Sequence, residues 1–383
     1  PLDLGTGDGS PASAITTVKE TLRAVPHRGL GFGVLRYLSS NPDVRRLLDR
    51  QPQPQILFNY LGQLDAIAAG SSLFRLTAES SGPWHAPENQ RSHLVEVLAQ
   101  VIDGRLKVQW TYSRNFHDAP TISGLATRYL DSLRELVGYC VARSSAVRTP
   151  ADFPLAGITQ PELSELITRY PSLRDVYPLS TIQQLFYSME GVDKSPGIEQ
   201  WEFLLEGPLD PARLAAAWTR VLARHAILRT AFIQLGASKP YQVVIDDLDL
   251  PWQELDWRDC DATGQAARLH DLLDEERRQG FNLDQPPLVR LTLARTGNAE
   301  YRLIWTTHHL LVDGWSWPLI FSELSALYAD ETTTLPAVCG YREYITWLKD
   351  RDWTDDKRFW SEVLANVLEA TPIPVAPAES AES

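Results

Sequence analysis

The stretch Tyr301-Arg302-Leu303-Ile304-Trp305-Thr306-Thr307-His308-His309-Leu310-Leu311-Val312-Asp313-Gly314 carries the most information in the chain. Tyr301 to Thr307 reads as an apolar, aromatic and β-branched strand. Adjacent side chains on a strand exit point to opposite faces, so one of His308 and His309 can face a cleft while the other is packed. Asp313, four residues beyond His309, is expected in a tight turn that Gly314 permits. A carboxylate there can bond a histidine ring or a buried arginine. Imidazole titrates near neutrality, which suits proton transfer. The spacing alone leaves a second reading open, a packed histidine pair that caps a strand. A metal site is the weakest reading, because no third ligand is near and Leu310-Leu311-Val312 reads as packing.

Working outward, Ser316 to Ala329 is periodic for a helix, and Leu288 to Ala294 forms a hairpin with the central strand. Thr181 to Met189, Asp210 to His225, Thr263 to Arg278, Arg342 to Leu348 and Lys357 to Leu368 are expected helices. Glu202 to Leu205, Leu228 to Ile233 and Tyr241 to Ile245 are expected strands. This is an α/β (α+β) pattern. Upstream, Ala14 to Ala24 reads as a helix, Val34 to Leu48 as an apolar-periodic run, and Gln55 to Leu61 as a buried strand. His93 to Asp103 and Arg105 to Tyr112 read as a hairpin across Asp103-Gly104, and Thr121 to Arg143 as a long amphipathic helix. Between them, the stretch from about Ser144 to Val176 lacks periodicity apart from a short helix expected from Gln160 to Thr168, and reads as a linker.

The chain has 383 residues and ordinary globular composition, 44% hydrophobic and 22% charged, which excludes disorder for its bulk. Its net charge of -13 is uneven. Residues 1–150 hold 16 basic and 13 acidic side chains (net +3), leaving 20 basic and 36 acidic (net -16) beyond them. The acidic part disfavours nucleic acid as a partner. No run of ~18 apolar residues exists, so no transmembrane helix is expected. Cys140, Cys260 and Cys339 are few, odd in number and far apart, which fits a reducing, cytoplasmic setting better than a disulfide framework.

Taken with its surroundings, His308 to Gly314 resembles the HHxxxDG signature of condensation domains of non-ribosomal peptide synthetases. Tyr177-Pro178-Leu179-Ser180-Thr181-Ile182-Gln183-Gln184 resembles that family's first motif, in the form of domains that accept a D-configured donor. Arg224-His225-Ala226-Ile227-Leu228-Arg229-Thr230-Ala231-Phe232 is similar to the second, RHxxLRTxF, and Tyr341-Arg342-Glu343-Tyr344-Ile345-Thr346-Trp347 to the fourth. The first segment resembles the related epimerization domains. Pro26-His27-Arg28-Gly29-Leu30-Gly31-Phe32-Gly33 looks like their PxxGxGYG motif, with Phe32 where Tyr is usual. Phe58-Asn59-Tyr60-Leu61-Gly62 looks like FNYLG, and Trp110-Thr111-Tyr112-Ser113 fits the same family.

The resemblance implies residues 1–145 as the C-terminal part of an epimerization domain and 146–175 as an interdomain linker. It implies 176–375 as the N-terminal lobe of a condensation domain and 376–383 as a flexible tail. The implied fold is chloramphenicol-acetyltransferase-like, with mostly antiparallel sheets packed with helices. The implied reaction joins two carrier-protein-bound thioesters through a peptide bond after epimerization of the donor residue. His309 would stand at the reaction centre, beside His308, with the Gly314 backbone as an oxyanion candidate. Asp313 would be structural, paired with Arg229, and Arg224 would support the same region. Asn59, Tyr60, Gly29, Gly31 and Gly33 would be the epimerization-like set. No metal and no directly bound cofactor is implied; phosphopantetheine would arrive on peptidyl and aminoacyl carrier domains, with adjacent synthetase domains as further partners and no nucleic acid or membrane among them. The epimerization-like part lacks an HHxxxDG and an EGHGRE-type motif of its own, so these 383 residues alone are expected to turn over neither reaction. A stand-alone HxxxDG acyltransferase using acyl-CoA and a non-catalytic carrier-docking module are the competing readings.

Overall fold

A computed structural model describes residues 4–5, 8–63, 82, 90–142, 147–189, 197–236, 239–367 and 369. Backbone contacts divide the chain into two units, Pro1–Asp152 and Phe153–Ser383.

In the first unit, helix α1 (Pro11–Ala24) starts three residues before its apolar periodicity, because the Ser10 side chain accepts from the Ser13 N–H and Pro11 suits the first turn. The run from Val34 to Leu48 is broken into α2 (Leu30–Leu38) and α3 (Pro42–Asp49). Asn41 caps the second piece and Pro42 opens it, so a single helix cannot pass through. Strands β1 (Ile56–Gln63), β2 (Val95–Ile102) and β3 (Arg105–Tyr112) form one sheet, with β1 parallel to β2 and β2 antiparallel to β3. Asp103 and Gly104 both have positive φ, as the hairpin turn requires. Helix α4 (Ala119–Val141) buries Ile122 against Val95 and Val97. The buried strand expected at Gln55 to Leu61 is instead exposed: Phe58 and Tyr60 are each about half accessible. The sheet pairs it along one edge, and nothing among the described residues covers its faces.

The second unit begins inside the expected linker. Phe153 and Ile158 are buried, and α5 (Gln160–Arg169) places Leu163 and Leu166 fully inside. A capping box between Thr159 and Glu162 starts that helix. Residues 153–175 are therefore packed structure around the helix expected there, not a bare connector. They cover a sheet of β4 (Leu173–Pro178), β7 (Pro240–Ile245) and β6 (Thr230–Gln234), all antiparallel. Strand β4 is absent from the sequence expectation, since its alternation is interrupted by charged and proline residues.

A four-stranded sheet runs β5 (Ile198–Glu206), β10 (Glu300–His308), β9 (Val289–Arg295), β8 (Trp252–Asp256). Strand β8, also unexpected, pairs in parallel with β9, and the other two pairings are antiparallel. Helices α7 (Pro211–Arg224) and α9 (Ser316–Ala329) cover one face, where Trp218 and Trp305 rings lie 5.0 Å apart. Helix α8 (Ala262–Gln279) packs Leu269 and Leu272 against Trp257, Ala294 and Ile304. Helices α6 (Thr181–Met189), α10 (Tyr341–Asp350) and α11 (Thr354–Leu364) complete the unit. Residues 376–383, read above as a tail, lie outside the described residues. Among the described residues no helix is long and apolar enough to cross a membrane.

Candidate active site

Strand β10 ends at His308, and the two histidines diverge there. His308 is 2% exposed, with its Nδ1 accepting from the Leu310 N–H at 3.1 Å. Phe281 meets its ring edge-on, and Gly197 lies so close that an added Cβ would stand 2.7 Å from the ring. His309 keeps 30% of its side chain accessible. Its backbone N–H donates to the Gly197 carbonyl at 2.7 Å, which extends the β5–β10 pairing one residue past the strand. Phe186 of α6 packs perpendicular to its ring, with centroids 4.5 Å apart.

The pairing register also explains a neighbour that the motif does not contain. Thr307 pairs with Glu199 and His308 with Ile198, so Glu199 shares a face with the position after His308 and is its diagonal neighbour. The Glu199 carboxylate lies 2.8 Å from His309 Nδ1. Its approach is off the line of a ring N–H, so the contact is close without being an aligned hydrogen bond. The strand register is the signal that could have found it, but the sequence pattern starts β5 only at Glu202.

Beyond the histidines, Asp313 and Gly314 depart from expectation. Asp313 is exposed and accepts from the Ser316 N–H at 3.0 Å and the Ser316 hydroxyl at 2.7 Å. It steadies the start of α9, where a carboxylate also suits the helix dipole. It does not pair with Arg229. That guanidinium donates to the carbonyls of Leu222, at 3.2 Å, and Ile245, and meets Asp246 at 2.8 Å. Asp246 takes the place expected for Asp313 because the Ile245–Asp246 strand end lies beside the Arg229 turn. Gly314 has no left-handed φ, so the turn does not demand glycine; space is open where a Cβ would stand.

The first motif bonds this loop directly and the fourth braces the first. Gln183, 3% exposed, donates through Nε2 to the Leu310 carbonyl at 3.0 Å and to Gln242 Oε1 at 3.1 Å. Its Oε1 accepts from the Ser180 N–H. Tyr341 donates to the Ser180 hydroxyl at 3.3 Å, and Arg342 holds Asp175 at 2.7 Å. Burial pushes the phenols of Tyr177 and Tyr341 up from their ordinary values, so both stay protonated. From the second motif, Arg224 Nε and His225 Nε2 meet one oxygen of Glu323 at 2.9 and 2.7 Å, tying α7 to α9. Burial raises the Glu323 pKa, but its hydrogen bonds to His225 and Arg224 outweigh that and hold it below the usual carboxylate range.

The epimerization-like residues lie in the first unit. Gly29 has φ +84 and ends a tight turn before α2, whereas Gly31 and Gly33 are inside that helix with open space around them. Asn59 and Tyr60 are exposed on β1. Among the described residues no cluster of His, Cys, Asp and Glu is arranged to hold a metal ion.

The family described as "Condensation domain" matches residues 5–158 and 173–383. A linear gramicidin synthase from Brevibacillus parabrevis is 38% identical over 367 residues, which is 94% of this chain and 7% of that protein. Bacitracin synthase 3 of Bacillus licheniformis is 31% identical over 385 residues, covering 98% of this chain and 6% of that one. The chain thus spans less than a tenth of the length of these relatives. Among solved structures, the EpoB cyclization-docking bidomain from Sorangium cellulosum is 23% identical, with a TM-score of 0.44 over 70% of this chain and 50% of that chain. With both matched stretches together spanning nearly the whole sequence, the chain belongs to the condensation domain family.

Proposed function

We propose that this chain spans an epimerization–condensation junction of a peptide synthetase, and that its parent joins two carrier-bound thioesters. The carrying observation is the divergence of the two histidines: His308 is locked inside, while His309 is accessible beside a loop that Gln183 of the first motif holds and Tyr341 of the fourth braces through Ser180. In the reaction the acceptor amine attacks the donor thioester carbonyl. The C–N bond forms, the C–S bond breaks, and the proton lost by nitrogen ends on the departing sulfur. His309 takes that proton or positions the amine. The open space over Gly314 leaves room for a developing oxyanion near its backbone. Phosphopantetheine arms on peptidyl and aminoacyl carrier domains deliver both substrates, so the reaction asks for no cofactor held by this chain.

Support for the junction is that relatives named as peptide synthases align across both segments in one stretch, so their order here is shared. The glycine turn at Gly29 and the FNYLG-like strand carry the epimerization reading of the first segment. The Tyr177 to Gln184 form carries the D-donor reading. Catalysis in this family sets the histidine motif opposite the second lobe of its own domain, and residues 1–145 are read as belonging to the preceding one. The 383 residues alone should therefore give neither reaction. The test is to supply the parent synthetase with loaded carriers and measure dipeptidyl thioester from D- and L-configured donors, together with deuterium wash-in at the donor Cα. Product from the D donor with wash-in upstream supports the reading. Equal use of the L donor without wash-in removes the epimerization half, and turnover of a soluble acyl-CoA favours a stand-alone acyltransferase.

A further inference from the structure

Two enclosed polar atoms at the site have no other hydrogen-bond partner among the described residues: His309 Nδ1 and Glu199 Oε2. They belong to side chains already in contact, with Glu199 Oε1 2.8 Å from Nδ1. A carboxylate so placed needs a donor, and a ring nitrogen so placed needs a partner, and each is the nearest candidate for the other. Strand register and packing fix the ring against this carboxylate. The His309 N–H is tied to the Gly197 carbonyl, Glu199 sits two residues on along the same strand, and Phe186 closes one side of the ring. Hydrogen bonds at such sites are commonly bent before substrate arrives and tighten afterwards.

We propose that Glu199 is the positioning residue of His309: it accepts the Nδ1 proton, fixes the neutral ring in the Nδ1–H tautomer, and so presents the Nε2 lone pair to the reacting amine. This rests on the reading of His309 as the reaction-centre residue. The logic is the general one in which a carboxylate sets the tautomer of a catalytic imidazole and steadies the imidazolium that forms. With the carboxylate gone, the ring is free to place its proton on Nε2, where it cannot accept one from the amine.

Two measurements separate this inference from the reading beneath it. The first is made on the 383-residue chain, with nitrogen-15 histidine and His309→Gln to assign the signal, at a pH where the ring is neutral. The Nδ1–H tautomer should dominate, and should give way to Nε2–H in Glu199→Ala and Glu199→Gln while Glu199→Asp retains part of it. The second is made on the parent synthetase with loaded carriers. Glu199→Gln should lower kcat at least about tenfold, as loss of a tautomer-setting carboxylate does, with acceptor KM nearly unchanged. Melting curves of the same variants should stay close to wild type, and Glu199→Asp provides a second chain if one variant folds poorly. A His309 tautomer indifferent to Glu199, or a Glu199→Gln enzyme with normal kcat while His309→Ala is dead, overturns the proposal. If His309→Ala itself is active, the reaction-centre reading fails, and the tautomer measurement still decides whether Glu199 sets the ring.

Discussion

The buried amide of Gln183 donates to the main-chain carbonyl of Leu310, 127 residues later, at 3.0 Å. The same nitrogen reaches Gln242 Oε1, so one side chain links the first motif, strand β7 and the histidine loop. Gln183→Ala leaves two buried acceptors unpaired. Each unsatisfied group costs about 1–3 kcal/mol, so the melting temperature should fall clearly and activity with it. Gln183→Glu, which cannot donate at all when ionised, should do no better. A melting curve unchanged in the alanine variant would mean that the loop is held by packing alone.

Arg229 and Asp313 should be energetically independent, because Arg229 is satisfied by Leu222, Ile245 and Asp246, and Asp313 by Ser316. Asp313→Ala removes a helix-start hydrogen bond and should cost about 1 kcal/mol. Arg229→Ala orphans carbonyls and should cost roughly 1–3 kcal/mol for each that stays dry. The double variant should equal the sum within about 0.5 kcal/mol. A coupling energy of several kcal/mol in denaturant titrations would restore the direct ion pair.

Gly197 combines a left-handed φ of +88 with a neighbour that leaves no room, the His308 ring. Gly197→Ala should therefore cost roughly 1–3 kcal/mol from strain and overpacking. It should also disturb His309, whose N–H is bonded to the Gly197 carbonyl. Gly314→Ala has neither obstacle in the free chain and should melt normally. The contrast between the two glycines, read by thermal melts of both variants, is the check; equal destabilisation contradicts it.

Glu323 gives a pH signature. Its folded-state pKa is depressed by His225 and Arg224, so its stabilisation is present above the unfolded carboxylate value and is lost as pH falls through the folded one. The stability difference between wild type and Glu323→Gln should be largest near neutrality and shrink as pH drops below about 4. A difference that grows on acidification would reverse the sign and exclude this ion cluster as its source.

Helices with a side-chain cap and a proline at their first turn are legible in the sequence to within a few residues, as at Pro211–Arg224 and Gln160–Arg169. The hairpin at Asp103-Gly104 is legible for the same local reason. Strands β4 and β8 are not, because pairing with distant partners rather than alternation makes them strands. The exposed β1 looks like core because its apolar residues fall on both faces. At the site, His308 and His309 can be told apart as one packed and one facing out, but which is which depends on the β5–β10 register. Glu199 is invisible for that reason, since only cross-strand pairing brings it 110 residues in sequence back to His309. The Asp313–Arg229 pairing came from the motif alone, and Asp246 is nearer than any motif could say.

In the parent synthetase, with a D-configured donor and an aminoacyl acceptor both loaded on their carriers, dipeptidyl thioester formation is followed by mass spectrometry for wild type and His309→Ala. A fall of about 10²–10⁴-fold is expected, the usual loss when a general acid–base group is removed. Product formation at near wild-type rate in the His309→Ala enzyme would contradict it.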